Sequence, residues 1–405
     1  MSASRRPLAC VAGDLSLVRA LGRSGISVAA AVQGPDSLLR LSRYCVETVT
    51  TPSWVDEPGA ALDALIDWGR RQPVTPVFYY QGDHDLLAAS RGRDRMAGGL
   101  RCILPSAELV EDLVDKLRFA ALAERLDLPV PATRTLRRGS DVDPELRQWQ
   151  RFPCVLKPVT RSPRFAKVAQ SQKAIRVESR ADLDGLRETI ESYEADFVLQ
   201  EAVEGGEERI ESYHAYLRPG GQVMGEFTGR KLRTGPRLYG FSTYVEITDD
   251  AEVRGLGRSI LEKIGFSGVA KIDFKRDART DRLFMLEINP RFNLWHHPGA
   301  AAGVSLPALV YRDCVEPGSA RPAGPARPGV RWVSLSDDAR AFKEYRAAGE
   351  LSRLRWLAQM AAVHVNESFL FRDPLPGVSE LGGIIGRKLK KLLGGGAARP
   401  VADKP

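Results

Sequence analysis

Two apolar stretches eight residues apart carry the groups best suited to chemistry: Val269–Phe274 (VAKIDF) and Leu283–Asn289 (LFMLEIN), the second running on into Pro290-Arg291. Alternate residues of a strand share a face. Phe284, Leu286 and Ile288 are therefore expected in a core, with Glu287 and Asn289 together on the other side. On the first stretch Asp273 shares a face with Lys271, opposite Ala270, Ile272 and Phe274. An antiparallel pair joined through 275–282 would bring Asp273 beside Glu287 and Asn289. Two carboxylates and an amide oxygen make a hard oxygen site, of the kind Mg²⁺ takes when phosphate oxygens complete its shell. The pattern also suits an edge hairpin with a solvated polar face, and alternation alone does not choose. Asn289-Pro290-Arg291 favours the metal reading, because proline ends the strand and leaves Arg291 on a loop. A guanidinium fixed there can hold a phosphate or a carboxylate.

Other residues stand out one by one. Lys157 ends the apolar run Cys154–Pro158, a costly place for an ammonium group unless it meets an anion. Tyr80, Asp83 and His84 lie where a strand ends in an open α/β region, the edge at which such sheets bind ligands. They are expected as a substrate-side cluster, with Ser42-Arg43-Tyr44 contributing. His296-His297 follow the metal segment. One ion taking both is disfavoured, and a substrate contact or a polar pair starting a helix before Pro298 remains.

The elements that must position these groups fall into three regions. Leu8–Ala12, the helical spacing of Leu15, Val18 and Leu21, and Ile26–Val32 form a βαβ opening. A helix at Ala60–Trp68 and a strand at Val74–Tyr80 follow, giving a Rossmann-like α/β domain over 1–105 that lacks a GxGxxG fingerprint. Ser106 caps a new helix, and Leu117–Leu126 supplies another. Strand Cys154–Pro158, helix Ala181–Tyr193 and strand Phe197–Gln200 precede a strand-rich stretch, Glu211–Ile247. Helix Ala251–Ile264 leads to the two stretches above. Pro317–Pro328 reads as a linker, and Ser334–Met360 as mostly helical. The division expected is 1–105, 106–316 (lobes 106–200 and 201–316), and 317–405 as linker, helical extension and basic tail.

Composition narrows the classes. The 405 residues carry a net charge of +8, and Arg387–Pro405, with six cations and one acid, supplies five of those charges. The body is nearly balanced, which argues against nucleic acid as a partner. Five widely spaced cysteines without a CxxC pair exclude a disulfide framework and suit a reducing cytoplasm.

LEINPR, preceded by DFK, resembles the metal-binding signature of the ATP-grasp superfamily. Asp115-Lys116, VLKP at 155–158 and LQEAVEG at 199–205 agree with it in order and spacing. The likeness spans about Ser106 to Asp313. With FTGRKLR at 227–233 it is similar to a bacterial branch of predicted carboxylate–amine ligases. The resemblance implies an α/β (α+β) chain: a Rossmann-like domain, a two-lobed ATP-grasp module and a helical extension. It implies that Lys116 and Lys157 reach ATP phosphates, that Gln200, Glu201 and Val203 form the adenine hinge, and that Glu208 (or Glu207 or Glu211) meets the ribose. Arg230 and Lys231 would meet the γ-phosphate. Asp273, Glu287 and Asn289 would hold two Mg²⁺ ions, with Mn²⁺ as a substitute, and Arg291 would steady the transferred phosphoryl group. One departure is the stretch 159–173, glycine-free where a Gly-rich loop is common, and carrying Arg161, Arg164, Lys167 and Lys173.

The expected activity is an ATP-dependent ligase acting on a small carboxylate and an amine through an acyl phosphate. A small-molecule kinase and a non-catalytic ATP-binding regulator are the rivals. A homo-oligomer is left open. LGGIIGRKLKKLL at 381–393 suits either a solvated terminal helix, the favoured reading, or weak peripheral contact with an anionic membrane.

Overall fold

The computed structural model describes residues 6–139, 141–159, 174–193, 195–367 and 369–392. Small and β-branched side chains at Ala9–Ala12 (β1) and Val28–Val32 (β2) let both strands be buried throughout. They flank helix α1 (Leu15–Gly22), which Asp14 caps by accepting from the Ser16 N–H at 2.8 Å. Strand β3 (Cys45–Thr50), helix α2 (Pro58–Arg70), strand β4 (Val77–Tyr80) and helix α3 (Asp83–Arg91) complete this region. Its sheet has the order β3-β2-β1-β4 and is parallel throughout. The winding reverses between β1 and β4, so a crevice opens at their C-terminal ends. Gln81 bridges that crevice, donating to Asp14 Oδ2 at 2.6 Å. A Cβ at Gly13 would lie 2.3 Å from Gln81 Oε1, so a larger residue there would push the Gln81 amide aside.

Helices α4 (Ala107–Val114) and α5 (Lys116–Arg125) lead into the small lobe. This comprises β5 (Thr133–Leu136), α6 (Asp143–Gln148), β6 (Cys154–Pro158), β7 (Ile175–Val177), α7 (Arg180–Gly185), α8 (Arg187–Glu191) and β8 (Phe197–Glu201). Its antiparallel sheet runs β5-β8-β6-β7.

The large sheet is built from β9 (Ile210–Leu217), β10 (Val223–Gly235), β11 (Phe241–Thr248), β12 (Gly268–Arg276) and β13 (Leu283–Asn289). Helix α9 (Ala251–Lys263) covers one face, where Val253, Ile260 and Leu261 pack with Tyr213, Ala270, Ile272 and Phe274. Helices α10 (His296–Ala301) and α11 (Leu306–Val315) cover the other. There Phe227, Val245 and Trp295 share one core with the first domain. The C-terminal part is more than a helical extension: β14 (Arg331–Val333) and β15 (Val365–Asn366) extend the sheet to the order β13-β12-β9-β10-β11-β14-β15. Helices α12 (Leu335–Ala347), α13 (Arg353–Ala361) and α14 (Leu375–Leu392) complete it. Two buried ion pairs tie it down, Arg233–Asp338 at 2.7 Å and Arg19–Asp373 at 2.9 Å. The 317–328 stretch forms no helix or strand, and Ala323 and Arg327 donate backbone bonds to Met224 and Ala302.

One core expectation is corrected. Leu283, Met285 and Ile288 face the core, whereas Phe284 and Leu286 are half-buried outside it. The cause is a bulge: β13 carries one residue more than β12 between the pairs Asp273–Glu287 and Phe274–Met285, which shifts the parity of the strand.

Candidate functional site

Strand register assembles the centre of the site. Lys271 faces Asn289 and Asp273 faces Glu287 across β12 and β13, while Ser212 on β9 faces Asp273 from the other side. Asn289 Nδ2 donates to Glu287 Oε1 at 2.9 Å, orienting the amide oxygen away from that carboxylate. Asp273 is buried. Its Oδ2 accepts from Lys271 Nζ at 2.6 Å and lies 3.3 Å from Lys231 Nζ, and its Oδ1 accepts from the Ser212 hydroxyl.

The electrostatics follow from that packing. Burial alone would raise the Asp273 carboxyl, but Lys231, Lys271 and the bonds from Lys271 and Ser212 hold it well below the usual range. Burial pulls Lys231 down, yet Asp273, Glu287 and Glu207 outweigh it, and the net shift is upward. Burial wins at Lys271 and lowers it. Lys157 reaches in from β6 and is lowered by burial against the pull of Glu287 and Glu207. Glu207 is buried and raised by that burial, opposed by Lys231 and Lys275. Four lysines thus meet three carboxylates in one cleft, a balance that suits a polyanion.

The small lobe supplies the opposite wall. Lys157 Nζ donates to Gln200 Oε1 at 2.9 Å, and Gln200 Nε2 donates to Thr133 Oγ1 at 3.0 Å. Val155, Ala174 and Ala202 form a small apolar cluster with Tyr239 against it. Glu201 pairs with Arg151 at 3.3 Å. Val203 is buried, and no hydrogen bond of its peptide group occurs among the described residues. Lys116, at the start of α5, donates to the Pro158 and Val159 carbonyls at 2.9 and 2.8 Å.

Arg291 joins the site to the first domain. Its Nε donates to Asp83 Oδ1 at 2.5 Å and its Nη1 to the Gln81 carbonyl at 3.0 Å, so it sits in the β1/β4 crevice. Beside it Asp85 is buried and accepts from the Gln81 and Gly82 N–H groups at 2.8 and 3.1 Å. Burial raises its carboxyl to about 6, against those bonds and Arg291.

Several expected residues stand elsewhere. Arg230 lies on the opposite sheet face from Lys231, because neighbours in a strand alternate, and it donates to Glu246 at 2.7 Å. Glu208 is exposed, and the short turn Glu207–Arg209 brings Glu207 to the lysines instead. Glu211 is taken by Arg276 at 2.9 Å. Tyr80 is a core residue whose hydroxyl donates to the Ile103 carbonyl at 2.8 Å. His84 is exposed on the first turn of α3, clear of the cluster. Ser42 and the Arg43 N–H bind Asp373, so they serve the C-terminal clamp. His296 is fully buried against Phe292, and burial lowers His296 and His297 to about 3, leaving both neutral. Arg161, Arg164, Lys167 and Lys173 lie outside the described residues. Sequence reading missed Ser212 and gave Lys271 no role. Alternation already put Lys271 on the Asp273 face, but nothing local announced Ser212.

Among the described residues no three His, Cys, Asp or Glu groups form a metal cluster. Asp273, Glu287 and Asn289 place two carboxylates and one amide side by side on β12 and β13.

No protein-family profile matches the chain. D-aspartate ligase of Enterococcus faecium (strain Aus0004) is 27% identical over 242 residues, covering 58% of this chain and 57% of that one. The chain thus spans little more than half the length of that curated relative. Among solved structures, N5-carboxyaminoimidazole ribonucleotide synthetase in an ADP complex superposes with a TM-score of 0.58 at 15% identity, covering 82% of each chain. L-amino acid ligase from Bacillus licheniformis gives 0.56 at 15% identity, covering 79% of this chain and 78% of that one. The chain has the ATP-grasp fold. The Asp273 cluster on the seven-stranded sheet faces Lys157 of the β5–β8 sheet. No helix among the described residues is long and apolar enough to cross a membrane.

Proposed function

We propose that the chain is an ATP-dependent ligase that activates a small carboxylate as an acyl phosphate and transfers the acyl group to an amine. The products are ADP, phosphate and an amide. The observation that carries this reading is the pairing of Asp273 with Glu287 beside Lys231 and Lys271, opposite Lys157. It supplies oxygen donors and cations without an activated nucleophile, as a phosphoryl transfer governed by positioning and charge requires.

In this reading Lys116 and Lys157 hold the triphosphate from the small lobe, Lys231 and Lys271 neutralise it from the large sheet, and Glu207 takes the ribose. Gln200, Glu201 and the peptide group of Val203 bind adenine. Asp273, Glu287 and Asn289 would hold Mg²⁺, which supplies Lewis-acid charge neutralisation at the phosphates. Arg291, in the crevice, orients the carboxylate and steadies the phosphoryl group. A carboxylate oxygen attacks the γ-phosphorus and ADP leaves. The amine then attacks the acyl carbon, phosphate leaves, and the amine proton passes to solvent.

The test is ADP release from the purified chain across a panel of amino acids and small carboxylates, with hydroxylamine in place of the amine. A hydroxamate that forms with ATP and disappears in Glu287→Ala is the expected result. ADP formation with a stable phosphate ester and no hydroxamate would replace the ligase with a kinase.

A further inference from the structure

Five of the exposed large apolar side chains among the described residues fall within thirteen consecutive positions: Phe369, Phe371, Leu375, Val378 and Leu381. Phe371 is 92% exposed. A water-facing phenylalanine usually folds inward or is trimmed by selection on solubility. Here the backbone beneath it is held fast. Asp373, two residues on, is buried with Arg19 and accepts from Ser42 Oγ at 2.9 Å and the Arg43 N–H at 2.8 Å. Arg19 also donates to the Asp373 carbonyl at 2.8 Å. The turn Leu370–Asp373 is therefore fixed, with Phe371 outward and Phe369 exposed just before it.

The surroundings are cationic. Arg372 is exposed on the same turn, and Arg40 and Arg43 are exposed on the segment it grips. Helix α14 packs on Leu38–Leu41 and continues to Leu392, and its sequence from Arg387 to Lys391 adds four more cations. The acids within 369–392 are Asp373, buried in its ion pair, and Glu380, half-buried. We infer that this face is a docking surface for an anionic lipid membrane, with Phe369, Phe371 and the outward side of α14 entering the headgroup boundary and the arginines and lysines meeting the lipid phosphates. A second copy of the chain fits less well, because symmetry would bring the arginines and lysines against their own kind.

The test uses the full chain and vesicles of phosphatidylcholine and phosphatidylglycerol in equal parts, read by co-sedimentation. Binding at low salt is expected. It should fall steeply toward ~1 M salt, where screening shortens to ~3 Å, and be weak on pure phosphatidylcholine. Phe371→Asp should lower partitioning at least about tenfold while leaving the melting temperature unchanged, its site being solvent-facing. Lys388→Glu, Lys390→Glu and Lys391→Glu should each cost roughly fivefold. No binding to the anionic vesicles, or binding indifferent to Phe371→Asp, would overturn the proposal. So would a dimer in solution that Phe371→Asp dissociates, which would assign the face to a second copy. The ADP-release assay does not enter these readouts, so either proposal can fail alone.

Discussion

Arg230 and Lys231 are neighbours in β10 and serve opposite faces of the sheet: Lys231 Nζ lies 3.3 Å from Asp273, and Arg230 binds Glu246 at 2.7 Å. Their substitution should therefore part company. Lys231→Met is expected to lower ADP formation about 100-fold or more, the scale of losing a positioned charge at a transferring group. Arg230→Ala should leave it within about twofold. Steady-state kinetics on the two variants decide, and equal losses would mean that the strand is turned wrongly.

Glu287 is exposed while Asp273 is buried among cations. Glu287→Gln should keep stability within about 0.5 kcal/mol and cut turnover by roughly 100- to 1,000-fold, with excess Mg²⁺ restoring part of it. Asp273→Asn should destabilise as well, because two buried ammonium groups lose their anion. Thermal melts beside ADP release separate the two.

Asp85 gives a pH prediction. Burial pushes its carboxyl up to about 6 in the folded chain, well above the ordinary carboxylate range. A group raised on folding favours the folded state when protonated. Its contribution is complete below about pH 4 and fades as pH rises through 6, a change of about 3 kcal/mol. Asp85→Asn keeps an acceptor for the Gln81 and Gly82 N–H groups and does not ionise. Its stability should vary less between pH 4 and 7, which denaturant titrations at several pH values would measure. An unchanged pH profile would refute the assignment.

The Arg19–Asp373 clamp is fully buried. Asp373→Ala should cost about 3–5 kcal/mol by stranding Arg19, while the double change Arg19→Met with Asp373→Leu should recover much of that loss. Urea unfolding of the set, read as a double-mutant cycle, checks it.

Local pattern made the β12 and β13 segments legible, because their alternation of apolar and polar residues is strong and the connection short. The bulge at Leu286 was not legible, since nothing in LFMLEIN marks which residue is extra. Arg230 was within reach of the alternation rule, since β10 runs through both cations to Gly235 and neighbours in a strand cannot both meet the γ-phosphate. Glu207 and Glu208 differ only by the geometry of one tight turn. β14 and β15, three and two residues long, carry no period at all. Asp373 depends on a partner 354 residues away, which no window of sequence can see.

The two buried ion pairs have a mechanical consequence. Arg19–Asp373 staples the final segment to the opening domain, and Arg233–Asp338 staples it to the seven-stranded sheet. Both lie outside residues 133–201, so neither restrains the four-stranded lobe. The opening domain, the seven-stranded sheet and the final segment are thereby braced as one jaw, and the jaw bearing Lys157 lies outside that brace.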